Sequence, residues 1–241
     1  MSFTGKFIKA YFNNVYNQVY DSTTARLSSY FRLQQRCISK LKFKDGESVL
    51  CIGLGTGNEI AHVFKANKNV SITGVDYSRR ALITAYQKAL DLGKEIRVVV
   101  MDAQQMEFEA ATFDKVICLH VMDFIKDPKM ATGEIFRVLK DGGQFVVTYP
   151  SHVEDVRMAR SLIKDNINHN SGLWKSRVRA FHGLLSLIPT CFVYLPLFSR
   201  PGKVHYNNSE LQKFITELAS VHFQIEEDPI YHNYIVHGYK G

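Results

Sequence analysis

Residues 48–60 read SVLCIGLGTGNEI, and no other stretch limits the fold so tightly. Val49, Leu50, Cys51 and Ile52 make an unbroken apolar run, the pattern of a strand buried on both faces. Gly53, Gly55 and Gly57 follow in G-x-G-x-G spacing, and Ile60, Ala61, Val63 and Phe64 then recur at helical intervals. The glycines therefore form a turn from strand to helix. Glycine there admits positive φ and lets a ligand lie against bare backbone, while the unpaired N–H groups of the helix start face that ligand.

The runs that follow repeat the theme. Residues 70–75 end at Asp76, nineteen residues after Gly57, where nucleotide-binding α/β folds use an acid to grip a ribose diol. Residues 96–101 end at Asp102 and Ala103, suited to an adenine amino group, and residues 113–120 (FDKVICLH) end at His120. Ser78 caps a helix that runs to Leu92 and stops at Gly93. Residues 133–150 predict a helix, a Gly-Gly turn and a fifth strand. This alternation of strand and helix implies an α/β, doubly wound, parallel sheet that binds ligands at the carboxyl ends of its strands. Gly53, Asp76, Asp102 and His120 all fall at such ends and are expected to share one crevice.

On these residues, and on the RVLKDGG segment, the chain resembles the class I S-adenosylmethionine-dependent methyltransferases over residues 45–150. The resemblance is to the type 11 group, with its ubiquinone/menaquinone C-methyltransferases and phosphatidylethanolamine N-methyltransferases. It implies a Rossmann-like, mostly parallel seven-stranded sheet with N-terminal helices, and S-adenosylmethionine as cofactor. It also implies cofactor contacts from Tyr20, Gly53, Gly55, Thr56, Gly57, Asp76, Tyr77, Asp102, Ala103 and His120. An NAD-binding G-x-G-x-x-G would need glycine where Asn58 stands. One position departs from the family, which has Asp or Glu two residues before the first glycine, whereas this chain has Cys51. Cys51 reads as a small buried strand residue, though another group could take over from the missing acid, or the protein could hold the cofactor as a non-catalytic scaffold.

Outside the core the composition adds further expectations. Cysteines 37, 51, 118 and 191 include no C-x-x-C pair, which fits reduced packing residues and a cytoplasmic location. The N-terminus lacks the apolar stretch of a secretory signal. Of the net charge of +7, residues 1–45 carry an excess of six, with eight basic residues against two acidic ones. That excess suits an anionic membrane surface or nucleic acid, or is a solvated helical face. Residues 3–20 and about 25–41 predict two apolar-striped helices within an N-terminal cap, 1–44, ahead of a methyltransferase domain, 45–241. An insertion at about 168–206 contains residues 181–199, which have no Asp, Glu, Lys or Arg and include Pro189 and Pro196. The prolines argue against a spanning helix, leaving a lid over an apolar pocket, an interfacial segment peripheral to the membrane, or a subunit interface or plain core. Asn208 or Ser209 is expected to cap a helix to about Ala219, and residues 223–225 and 234–236 to close the fold as a hairpin.

Methyl transfer asks the protein mainly for geometry and exclusion of water; a phenol or quinol acceptor also needs a general base. His120, Tyr149 and His152 are the candidates by position. No Asp/Asn-Pro-Pro-aromatic motif and no Pro-Cys follows the fourth strand, which disfavours nucleic-acid bases as acceptors, and no His/Cys/acid cluster has metal-ligand spacing. The expectation is methyl transfer to a lipophilic small molecule: a prenylated quinol, a phospholipid headgroup or an aromatic metabolite. A tRNA methyltransferase and a non-catalytic scaffold stay open as alternatives.

Overall fold

The described strands of the protein form one seven-stranded sheet in the order β3-β2-β1-β4-β5-β7-β6. The computed structural model describes residues 28–152, 160 and 204–241; the helix expected over 3–20, Tyr20 and the apolar segment 181–199 lie outside them. In chain order the elements are α1 (Ser28–Ile38), β1 (Ser48–Ile52), α2 (Ile60–Ala66), β2 (Ser71–Asp76), α3 (Arg79–Asp91), β3 (Arg97–Val100) and β4 (Phe113–Cys118). Then follow α4 (Pro128–Val138), β5 (Leu139–Tyr149), α5 (Asn208–Leu218), β6 (Val221–Glu227) and β7 (Tyr234–Lys240). Strands β1 to β5 pair in parallel, and β7 runs antiparallel between β5 and β6.

The apolar run of β1 explains why the sheet is covered on both sides. Val49 and Cys51 point into a layer with Leu33 of α1, Ile60 and Val63 of α2 and Leu82 and Ala85 of α3. Leu50 and Ile52 point the other way, toward Ile135 and Phe136 of α4 and Leu211 and Ile215 of α5. Two-residue alternation on strands and helical spacing on the covering elements thus build an α/β/α sandwich, as expected for a doubly wound fold.

Helix starts follow local chemistry. Ser78 Oγ accepts from the Ala81 amide at 3.3 Å, and Asp127 caps α4 through the Lys129 and Met130 amides with Pro128 in the first turn. The α5 cap is Asn207, one residue before the expected position. Its side chain accepts from the Glu210 amide while the Glu210 carboxylate takes the Asn207 amide, and this reciprocal pairing selects it. The Gly142–Gly143 pair is also not the free turn predicted. It lies inside β5, which begins directly after α4 and bulges: Leu139 faces Phe113, but Gln144 already faces Lys115.

Helix α1 is fastened to the far hairpin. Glu226 of β6 accepts from Lys40 and from Arg36 (3.3 Å), and His237 Nε2 lies 3.1 Å from it. The hydrogen bond from Lys40, with those from His237 and Arg36, holds the Glu226 carboxyl down at about 2. Ser29 and Tyr231 share a buried hydroxyl hydrogen bond of 2.8 Å. Beyond β5, Ser151 forms an isolated parallel bridge with Tyr206, and the His152 and His205 rings stack at 5.7 Å. Residues 151–152 and 205–206 are therefore held together beside the carboxyl end of β5. Among the described residues no helix is long and apolar enough to cross a membrane.

Candidate cofactor site at the glycine turn

The glycine turn is tied to its neighbours by backbone and carboxylate. Gly55 donates its amide to Asp76 Oδ2 at 2.8 Å, the Ser78 amide donates to Asp76 Oδ1 at 2.8 Å, and Leu54 N–H bonds Val75 O at 3.0 Å. Burial pushes the Asp76 carboxyl above its ordinary value, opposed by the amides of Ser78 and Gly55. Gly53 allows close packing, since a Cβ there would sit 2.2 Å from Val121 Cγ2. Gly55 is different: at φ +54° its Cβ would meet nothing closer than Gly53 O at 3.9 Å. The turn thus presents an open backbone face one strand away from a carboxylate held by the amides of Ser78, Gly55 and Tyr77 that retains acceptor capacity.

Met101 N–H bonds Asp76 O at 3.1 Å, so β3 brings Asp102 and Ala103 to the same end of the sheet. Asp102 is exposed and accepts from the Gln104 amide at 2.9 Å, Tyr77 is 38% exposed, and Thr56 is buried in the turn. Gly57, at φ +76°, closes the turn against α3.

His120 follows β4 in a left-handed conformation (φ +57°), and its amide donates to Thr148 Oγ1 at 2.7 Å. Its ring lies 5.3 Å from Tyr30 of α1 and 6.3 Å, edge-on, from Tyr231. The structure does not bring the other two catalytic candidates to this cluster. Tyr149 is buried on the opposite face among Tyr206 and Phe214, with its hydroxyl 2.8 Å from Thr132 Oγ1. Burial there pushes its phenol far above the ordinary value, the wrong direction for a base. His152 is exposed and stacks on His205 instead.

Sequence reasoning missed Tyr30, Tyr231 and Glu59. Tyr30 was legible only as part of a helical stripe, and the hydroxyl of Tyr231 meets that of Ser29, 202 residues away in the chain. Glu59 is 6% exposed at the start of α2, beside Cys51, Cys118, Asp76 and Lys88. Burial, then the charge of Asp76, raise its carboxyl to about 7 against the opposing influence of its own amide and Lys88. The one local signal was an acid set directly before the apolar residues of α2. Cys51 itself is fully buried and its thiol is pushed up by burial, so it is the inert packing residue expected.

These residues fit the S-adenosylmethionine that the resemblance implies. The open face at Gly55 suits a ligand lying on backbone, Asp76 suits hydroxyl donors, and two carboxyls, Asp76 and Glu59, flank the turn.

Comparison with known proteins agrees. The family model described as "Methyltransferase domain" matches residues 50–147. A phosphatidylethanolamine N-methyltransferase from Cereibacter sphaeroides is 29% identical over 133 residues, which cover 54% of this chain and 62% of that protein. The chain therefore spans less than two thirds of that relative's length. A carboxy-S-adenosyl-L-methionine synthase from Campylobacter fetus is 26% identical over 167 residues, 66% of this chain and 70% of that one. The crystal structure of magnesium protoporphyrin IX methyltransferase from Synechocystis, with bound SAH, superposes with a TM-score of 0.67 over 98% of this chain and 99% of its own. At 12% identity that likeness is one of fold. Matched over residues 50–147 by that family model and folded on the same sheet, the chain carries a methyltransferase domain similar to those of the type 11 class I S-adenosylmethionine-dependent methyltransferases.

Proposed function

We propose that the protein transfers a methyl group from S-adenosylmethionine to a lipophilic small molecule: a prenylated quinol, a phospholipid headgroup or an aromatic metabolite. The observation that carries this reading is the bridge between Ser151 and Tyr206. It joins, at the end of the sheet that holds the glycine turn, Asp76 and His120, two residues whose intervening sequence includes the charge-free stretch 181–199. A charge-free stretch in that intervening sequence favours a greasy acceptor. The name of the Cereibacter sphaeroides relative, which specifies a phospholipid, supports the same class.

When bound, the cofactor supplies an electrophilic methyl carbon on a sulfonium centre. The protein's part is then positioning. The Gly53–Gly57 turn would carry the cofactor, Asp76 would accept from its ribose hydroxyls, and Asp102 and Ala103 would hold its adenine. Tyr30 and Tyr231 hold the His120 ring at the acceptor side, where aromatic faces favour positive charge. His120 is the residue that takes a hydroxyl proton if the acceptor is a phenol or quinol. Residues 1–44 act as a cap and 168–206 as a lid or membrane-facing insertion, with the basic N-terminal region against anionic lipid.

The test is transfer of isotope-labelled methyl from S-adenosylmethionine into separated lipid, quinone and RNA fractions of a cell extract, with liposome flotation in parallel. Label in a lipid or quinone fraction supports the proposal. Label confined to RNA, or cofactor binding with no transfer to any fraction, overturns it in favour of a tRNA methyltransferase or a scaffold.

A further inference from the structure

We infer that Glu59 receives the α-ammonium of the cofactor's amino-acid end, supplying the negative charge that Cys51 of β1 lacks. The inference rests on S-adenosylmethionine being the cofactor.

The position of Glu59 is hard to explain otherwise. It follows the glycine turn by two residues and is 6% exposed, yet its side chain makes no helix-capping bond. Among the described residues no other side chain donates a hydrogen bond to its carboxyl, which turns back on its own amide. Among the described residues, the groups facing it are the neutral thiols of Cys51 (β1) and Cys118 (β4), the Asp76 carboxylate (β2) and Lys88 (α3). Lys88 is the one cation among them, and its Nζ is directed to Asn58 Oδ1 at 2.7 Å. A buried carboxyl next to a second carboxyl, without a cation bonded to it, is costly. Such groups cluster where a ligand later supplies the missing charge.

The ligand has that charge. The amino-acid end of S-adenosylmethionine carries an ammonium with three N–H donors, which needs buried acceptors. Asp76 already holds the Gly55 and Ser78 amides, and the buried Cys51 thiol carries no charge. Glu59 is the acid at the turn left to receive it. Its raised carboxyl, at about 7, makes the pairing sensitive to pH: below neutrality the ammonium must displace a proton, and above neutrality it meets an anion already formed.

The experiment is calorimetric titration of the full chain and of Glu59→Gln with S-adenosylmethionine, S-adenosylhomocysteine and 5′-methylthioadenosine, which lacks the amino-acid end. Circular dichroism and thermal melts confirm that the variant is folded, and Glu59→Asp serves as a second variant that keeps the charge. Expected at pH 8 is a loss of roughly tenfold or more for both amino-acid ligands in Glu59→Gln, in the range of a charge-assisted hydrogen bond, with methylthioadenosine affinity held within about twofold. Between pH 6 and 7, titration in buffers of different ionisation heat is expected to show proton release on binding to wild type and none in the variant. Equal weakening of all three ligands, or no change in any, overturns the inference and leaves the cofactor assignment standing. Failure of wild type itself to bind S-adenosylmethionine overturns both.

Discussion

The amide of Gly55 and the carboxylate of Asp76, twenty-one residues apart, meet at 2.8 Å across the ends of β1 and β2. One contact thereby fixes the shape of the glycine turn and the orientation of the acid beside it, before any ligand arrives. Because the second carboxylate oxygen takes the Ser78 amide, Asp76 is held at both ends. Turn, strand end and the start of α3 form one rigid unit, the kind of support a binding residue needs.

Asp76→Asn keeps the shape of the side chain but leaves one acceptor oxygen for the three amides of Ser78, Gly55 and Tyr77. Stability is expected to fall by about 1–3 kcal/mol, the cost of an unsatisfied buried donor, and S-adenosylmethionine affinity by roughly tenfold or more. Denaturant melts and calorimetric titration measure the two effects. Unchanged cofactor affinity in a folded variant confines Asp76 to shaping the turn.

Gly55→Ala separates fold from binding in the other direction. The new Cβ meets no protein atom within 3.4 Å, so the fold pays only for the left-handed conformation, about 1–2 kcal/mol. The same methyl group occupies the open face, and cofactor affinity is expected to drop well beyond what the stability change accounts for. Titration alongside a thermal melt decides it; an affinity within twofold of wild type places the cofactor elsewhere.

Glu59 predicts an opposition between stability and binding. Its folded carboxyl is raised from 4.5 to about 7, so the folded protein holds a proton there that the unfolded chain releases. Stability from this group is fully present below pH 4.5 and is lost as pH rises through 7, by about 3 kcal/mol in all. Glu59→Gln is expected to flatten that slope and to make the ligand-free protein more stable than wild type at pH 8. Urea melts from pH 5 to pH 8 test it, and parallel slopes in the two proteins contradict the assignment.

Glu226 has the opposite sign. With its carboxyl lowered from 4.5 to about 2 by Lys40, His237 and Arg36, its contribution is present above pH 4.5 and fades as pH falls toward 2. Because the side chain is 28% exposed, solvent screening limits the effect to about 1–2 kcal/mol. Glu226→Gln is expected to lower the melting temperature at pH 7 and to match wild type near pH 2. Hydrogen exchange on α1 should rise in the variant, since Arg36 and Lys40 lose their shared anchor.

Tyr149→Phe removes the hydroxyl that bonds Thr132 in the core. About 1–2 kcal/mol of stability should go with it, and methyl transfer by the folded variant should be unaffected. His120→Asn, by contrast, is expected to reduce transfer to a phenolic acceptor while cofactor affinity changes little. Comparing initial rates at saturating cofactor reads both; a slow but stable Tyr149→Phe returns that tyrosine to the reaction.

Much of the architecture was legible along the chain. The apolar run 49–52, the three glycines and the recurring strand–helix alternation are local patterns, and local sterics and periodicity suffice to read them. Asp76 was legible for the same reason: it ends a strand at a characteristic distance from the turn. The bulge in β5 was not, because Gly142 and Gly143 suit a turn and only pairing with Phe113 and Lys115 draws them into the strand. Tyr149 misled because position at a strand end does not tell which face the side chain takes, and here the alternation of β5 sends it toward α4 and α5.

Sequence alone therefore determined the parallel core, the glycine turn and the acid at its side, since each depends on residues close together in the chain. Only the tertiary structure decided what surrounds them. Ser29 reaches Tyr231 across 202 residues, carrying α1 and Tyr30 to His120, and Glu59 becomes a buried acid only when β1, β2, β4 and α3 close around it. Burial and the meeting of distant side chains are properties of the packed chain, and they govern charge, hydrogen bonding and therefore what the crevice can hold.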